Sequence, residues 1–206
     1  MLRCGMSTPR PATRSSKVVS FVAVMSALGN VLSFLSIKVS PIVPAIPLGP
    51  IHLSIALDLS HVATFIAALF GGPAVGGLTG MVGGLVAANE FGFSQGNLIT
   101  GFALPLGKAM TGVTAGLIFK YVGLLDGRRL RMVLATLASF VPEAIWTVFI
   151  FLVLFPAFLP LPISVTKVIA AQILVKASVE MVVMGLILAA LLENRGFTEY
   201  VKGAFT

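Results

Sequence analysis

Long apolar runs alternate with short polar or proline-rich breaks along almost the whole chain. The sharpest example runs from Leu57 to Glu90 and reads LDLSHVATFIAALFGGPAVGGLTGMVGGLVAANE. An apolar run carries Asp58 and His61 near its start and breaks at Gly71-Gly72-Pro73; a second, glycine-rich run follows at once and ends at Asn89-Glu90. Glycine reaches positive φ freely, and proline pre-sets φ for the first turn of a new helix. Each flanking run has roughly the 17–25 apolar residues that cross a bilayer core of about 30 Å. The pattern predicts a helical hairpin through a membrane, with almost no loop at its tip.

The same reading, extended in both directions, predicts six spans. They run from Lys17 to Ile37, His52 to Phe70, Pro73 to Asn89, Asn97 to Phe119 (with Pro105 inside), Met132 to Phe155 (with Pro142 inside) and Val165 to Leu192. Residues 38–51 (KVSPIVPAIPLGPI) hold four prolines and read as an ordered loop or wrapped cap rather than a helix. Residues 90–96 and the proline-rich 156–164 are shorter loops, and 120–131 is a basic connector. The expectation is an all-α membrane protein: a mobile cytosolic tail over 1–16, one six-helix domain over 17–192, and a short polar cytosolic tail over 193–206. A signal peptide is the rival for the first run. That run is longer than a signal core of about 7–15 residues and lacks a small-x-small cleavage site.

Composition supports the membrane reading. Hydrophobic residues make up 57% and charged ones 10%, whereas a soluble domain carries about a quarter charged residues. The formal net charge of +7 does not mark a nucleic-acid binder, because the basic residues sit at span ends and not in a patch with aromatics. They report orientation instead. With the amino terminus inside, the inner segments hold Arg3, Arg10, Arg14, Lys17, Lys120, Arg128, Arg129, Arg131, Arg195 and Lys202, and the outer ones only Lys38 and Lys167. Excess Lys and Arg marks the cytosolic side, so both termini are expected there. The lone Cys4 has no intrachain partner and receives no role.

Small residues recur at helical spacing. Gly76, Gly80 and Gly84 give the third span a smooth face, and Gly101, Gly107, Gly112 and Gly116 do so in the fourth; such faces let membrane helices approach closely. In the first span Ala23 and Ala27 share a face, with Ser26 and Asn30 nearby.

Ionisable residues inside spans say more, because an ion in hydrocarbon costs several kcal/mol and normally faces protein or water. At about 1.5 Å per residue, Lys108 lies about 16 Å into the fourth span and Lys176 about 14 Å into the sixth, with Glu180 one turn deeper. Glu143 of the fifth span falls near the same level. Two readings stand side by side: an ion-pair network that fixes helix packing, or an outward pocket that turns some of these groups on a ligand. Asn97, Gln172 and Trp146 are candidate lining. Asp58 and His61, about one turn apart, cap the external loop or line the same cavity.

Several chemistries are excluded. No GxxxxGK[ST] motif is present, so the chain cannot drive transport with ATP by itself. No HExxH or Cys/His cluster suggests zinc. An intramembrane serine protease needs a late-helix histidine, and the only histidines are His52 and His61. No catalytic residue, cofactor or resident metal is expected.

The stretch LDLSHVATFIAALFGGPAVGGLTGMVGGL resembles the second and third helices of substrate-binding S components of energy-coupling factor (ECF) vitamin transporters. It is most similar to the riboflavin-type branch, where an L-D-x-S-D-x-P start, an F-G-P turn and a Gly-rich third helix recur. Here Leu57-Asp58-Leu59-Ser60 matches, but His61 stands in place of Asp and Ala63 in place of Pro. Gln95 to Phe102 followed by Pro105 resembles that family's opening of helix four, and Ala23-x-x-x-Ala27 its docking motif in helix one. The sixth helix departs: the branch carries Asn-x-x-Lys, and Ile173-x-x-Lys176 keeps only the lysine. The resemblance implies a subunit of a prokaryotic cell membrane that binds a vitamin-sized molecule, riboflavin first. It also implies an outward cavity roofed by the loop after helix one and walled by helices four to six. Its partners would be a transmembrane coupling protein and two ATPase subunits. A self-sufficient secondary carrier, with Lys108, Glu143, Lys176 and Glu180 as a proton relay, and a small membrane assembly protein are the alternatives.

Overall fold

The computed structural model describes residues 12–40, 45–48, 51–54, 57–122, 129–159 and 161–205. Helix α1 spans Ala12–Val39, so residues 12–16 of the expected tail are helical and residues 1–11 lie outside the described part. Two short strands follow, β1 (Ala45–Leu48) and β2 (Ile51–Ser54), paired antiparallel with Leu48 opposite Ile51. The remaining helices are α2 (Ser60–Gly83), α3 (Leu85–Phe91), α4 (Leu98–Val122), α5 (Arg129–Phe149), α6 (Phe155–Phe158), α7 (Ile163–Glu193) and α8 (Arg195–Phe205). A π-helical turn, Ile150–Leu154, joins α5 to α6 without interruption. Apart from the hairpin, the described fold is helical. Five segments are long and apolar enough to cross a membrane: Ser16–Val39, Ser60–Gln95, Leu98–Tyr121, Arg129–Phe158 and Ile163–Glu193.

The second of these, 36 residues long, is folded back on itself. At Gly72 the backbone leaves the helix with φ 81° and ψ −172°, a region essentially reserved for glycine. A methyl group on Gly76 would fall 2.6 Å from the Ala68 Cβ; in an unbroken helix residues eight apart lie about 12 Å apart. A methyl on Gly29 of α1 would likewise lie 3.6 Å from the Ser60 carbonyl and 3.5 Å from the Gly83 Cα. Both ends of α2 therefore meet one point on α1. The hairpin expected at Gly71-Gly72-Pro73 is present.

The start of the first arm corrects the sequence reading. A span from His52 to Phe70 was expected, but His52 belongs to β2 and the helix begins at Ser60. Prolines at 41, 44, 47 and 50 disfavour a helix upstream, and Asp58 accepts the Ser60 N–H at 3.0 Å, holding the turn that opens α2. The arm from Ser60 to Gly71 is only about 18 Å long. Gly29, which it meets, lies about 15 Å down α1 from Val39. The first arm of α2 is thus a half-helix that starts at mid-depth of the bundle.

The second arm packs antiparallel on α4 through glycine. A methyl on Gly76 would sit 2.6 Å from the Gly112 carbonyl oxygen, one on Gly116 would sit 2.5 Å from the Pro73 nitrogen, and one on Gly80 would strike the Lys108 carbonyl. Close backbone approach of this kind replaces the hydrophobic drive that lipid cannot supply. The helix breaks at Gly84, and Asn30 of α1 bridges the break: its Nδ2 donates to the Val82 carbonyl (2.9 Å) and its Oδ1 accepts the Val86 N–H (3.0 Å).

One half of the bundle, towards Lys120, Arg129 and Glu193, is filled by apolar side chains. Phe65, Ala115, Phe119, Met132, Met181, Met184 and Leu188 form its core. Thr136 stitches α5 to α7 there by donating to the Met181 carbonyl at 2.9 Å. Arg129 and Glu193 pair at 2.8 Å at the same end. Residues 195–205, expected as a polar tail, form a helix: Asn194 ends α7 and its Oδ1 accepts the Phe197 N–H at 3.2 Å. Phe197 packs edge-on against Phe70 at 6.4 Å, and Val201 is buried. The apolar face of α8 had no counterpart in a reading that scanned only for long runs.

Candidate functional site

The ionisable groups collect where the half-helix begins. Asp58 precedes α2; Ser60 and His61 form its first turn; Lys108 and Thr111 come from α4, Glu143 from α5, and Lys176 and Glu180 from α7. The Lys108 ammonium lies 2.9 Å from Asp58 Oδ2 and donates a short hydrogen bond to the Ser60 hydroxyl. The Asp58 N–H donates to Glu180 Oε1 at 2.9 Å, and the same oxygen is 3.8 Å from Lys176 Nζ. The Leu59 N–H reaches the Ser36 hydroxyl of α1 at 3.4 Å. A helix start inside the bundle leaves N–H groups that need acceptors. Here Asp58, Glu180 and Ser36 supply acceptors to residues 58–60.

A second knot lies beside the first. Glu143 accepts the Thr111 hydroxyl at 2.5 Å and faces His61 Nε2 at 3.5 Å. Gly107 makes room for it, since a methyl there would lie 3.1 Å from the Glu143 Cγ. His61 is buried, and neither ring nitrogen has a hydrogen-bond partner. Three carboxylates thus meet two ammonium groups and one imidazole among the described residues. Buried charges persist only when paired in this way.

The structure brings Asp58, His61, Lys108, Glu143, Lys176 and Glu180 into one cluster. Gln172 lies one turn from Lys176 on α7 with its Nε2 buried and unpartnered. Two other candidates stand apart. Asn97 caps α4, accepting the Thr100 N–H at 3.1 Å, about 16 Å along the helix from Lys108. The Trp146 indole N–H donates to the Ala103 carbonyl at 3.1 Å and stacks on Phe149, tying α5 to α4.

Above the start of the half-helix, where α2 does not reach, lies a cleft of about 70 Å³. Ser33, Ser36 and Ile37 line it from α1, Ser40 from the turn that follows, Phe91 from α3, Lys176 from α7, and Asp58 forms part of its lining as well. The serines were not singled out from sequence. Their signal was there: Ser26, Ser33 and Ser40 recur every seven residues, one face of a helix. On another face of α1, Ala23 and Ala27 are exposed together with Val24, Val31 and Phe34.

The arrangement offers charge pairs, hydroxyls and an orphan amide among the described residues. Among known proteins, the family model described as ECF transporter, substrate-specific component, matches residues 17–195. No curated protein and no solved structure matches the chain.

Proposed function

Since the chain belongs to the substrate-specific components of ECF transporters, a family of membrane substrate-binding subunits for micronutrient uptake, we propose that it binds a vitamin-sized cargo in the cleft above the α2 half-helix. The observation that carries this reading is the half-helix itself. Its start at mid-depth leaves the other half of its track free of helix among the described residues, and Asp58 and Lys176 line that space. Discontinuous helices at mid-membrane are a recurrent way to build a transport site.

The chain crosses the membrane six times in this reading, the folded segment Ser60–Gln95 counting as two passes. The basic end faces the cytosol and the β1–β2 hairpin faces outward, in a prokaryotic cell membrane. The exposed Ala23/Ala27 face of α1 docks on a transmembrane coupling protein, which two ATPase subunits drive. The resemblance of Leu57–Leu85 to the riboflavin-type branch makes riboflavin the first cargo to test. The Lys/Glu cluster serves both to hold the half-helix and to present charge to the cargo.

Mass spectrometry of small molecules that co-purify with the chain, followed by titration with riboflavin, thiamine, biotin and pantothenate, tests the proposal. One tightly held compound is expected. A chain that retains none and binds none in titration would overturn it. Uptake by the chain alone in vesicles, abolished by a protonophore, would point to a self-sufficient carrier instead.

A further inference from the structure

Helix α1 presents two distinct faces to two different surroundings. Ser33 and Ser36 face the cleft from α1, about 4.5 Å apart along the helix, and Ser40 lines it from the turn that follows. Ser33 is buried within the bundle, at 1% exposure, yet lines that cleft. Ser36 already accepts the Leu59 N–H and keeps its own proton to donate. At 3.6 residues per turn this row lies about 130° around the helix from Ala23 and Ala27. Across the cleft stand Asp58 and Lys176, and Phe91 and Ile37 supply its apolar surfaces.

We infer that α1 is a wall of the cargo site. Its Ser33 and Ser36 hydroxyls hold a neutral hydrogen-bonding part of the cargo, a chain bearing hydroxyl, carbonyl or amide groups, while Asp58 and Lys176 meet a polar group at its other end. This rests on the cargo-binding reading above and adds to it a specificity-determining row on the first helix. The buried Ser33 hydroxyl rewards a ligand that matches it and penalises one that leaves it unpaired. Because the row and the alanine face share one continuous helix, any tilt of α1 that cargo imposes also moves the docking face.

Two measurements on the full-length chain test the inference. In a Cys4→Ser background, Ser33→Cys should react with a charged methanethiosulfonate reagent added from the hairpin side, whereas Val31→Cys on the exposed apolar face should not. A pool of riboflavin, thiamine, biotin and pantothenate should slow the Ser33→Cys reaction. In titration with the compound that wild type retains, Ser33→Ala should weaken binding roughly three- to tenfold. Ser33→Leu should abolish it, and Ser26→Ala, lower on the same helix face, should leave it unchanged. Wild-type affinity in Ser33→Leu, or a Ser33→Cys as inert as Val31→Cys, would overturn the α1 assignment while leaving cargo binding intact. If wild type retains no compound and binds none of the pool in titration, the cargo-binding reading fails and takes this assignment with it.

Discussion

Lys108 and Asp58, fifty residues apart in sequence, meet at 2.9 Å where α2 begins. The lysine comes from the middle of α4 and is almost wholly enclosed, and its ammonium also donates to Ser60. The pair locks the start of a half-helix to a neighbour at the level where hydrocarbon would otherwise face ions. Removing one partner leaves the other charge buried alone, which costs about 3–5 kcal/mol. Lys108→Met should therefore lower the unfolding midpoint of the detergent-solubilised chain sharply, and Asp58→Asn added to it should restore most of the loss. A Lys108→Met variant as stable as wild type would show that the pair does not hold the fold.

Much of this was legible in the sequence, for identifiable reasons. Long apolar runs and Gly-Gly-Pro chemistry report local preference, so the hairpin at Gly72 and the helices α4, α5 and α7 could be read within a few residues. Lys108, Glu143, Lys176 and Glu180 stood out because ions inside apolar runs are expensive anywhere in the chain. The start of α2 was misplaced by eight residues, from His52 to Ser60, because hydropathy does not distinguish an apolar strand from an apolar helix. The partner of each ion was equally hidden. Lys108 joins Asp58, and Glu143 joins Thr111 and His61, through contacts that depend on how α4 and α5 sit against the half-helix. Ser33 and Ser36 escaped notice because serine is unremarked in a membrane helix until a cleft opens beside it.

The two positive-φ glycines among the described residues should respond differently to substitution, and space cannot be the cause. A methyl on either Gly72 or Gly96 meets nothing within 4 Å. Gly96, at φ 69° and ψ 11°, sits in the left-handed region that asparagine tolerates. Gly72, at φ 81° and ψ −172°, does not. Gly96→Asn should be close to neutral, whereas Gly72→Asn should cost about 1–3 kcal/mol. Thermal unfolding of both variants checks this; equal midpoints would mean that the turn at Gly72 is not as tight as described.

The exposed alanines of α1 set up a test of docking. Ala23 and Ala27 lie one turn apart and take no part in the buried core. Replacing either with Leu, or both with Trp, should block close approach of a partner helix and impair uptake in cells that supply the ATPase module. Cargo binding by the purified variant should stay nearly intact. If binding falls together with uptake, these residues pack within the chain itself.

Orientation can be checked at the turn between α3 and α4. Ser94 is exposed there, and its hydroxyl donates to the Glu90 carbonyl at 2.9 Å. With the basic end in the cytosol, a cysteine at Ser94 in a Cys4→Ser chain should react with an impermeant maleimide added outside intact cells. Labelling only after the membrane is opened would invert the topology and remove the six-pass reading.

Lys176 separates a cargo contact from a packing contact. Its side chain is one-third exposed, while that of Glu180, 3.8 Å away, is nearly enclosed. Lys108, by contrast, is fully engaged with Asp58 and Ser60. Of the two ammonium groups in the cluster, Lys176 is the one that lines the cleft, so its remaining donors are available to a carbonyl, ring nitrogen or carboxylate. Lys176→Ala should weaken cargo binding at least about tenfold, equivalent to about 1.4 kcal/mol, with the protein still folded. Lys176→Met keeps the stem and loses the charge, and it should lose binding as well, because packing alone does not explain the contact. Equilibrium titration with the co-purifying compound reads both variants. Should both fold and bind as wild type does, Lys176 only balances Glu180, the charged cluster is a device for packing helices, and recognition falls to the hydroxyl wall of α1.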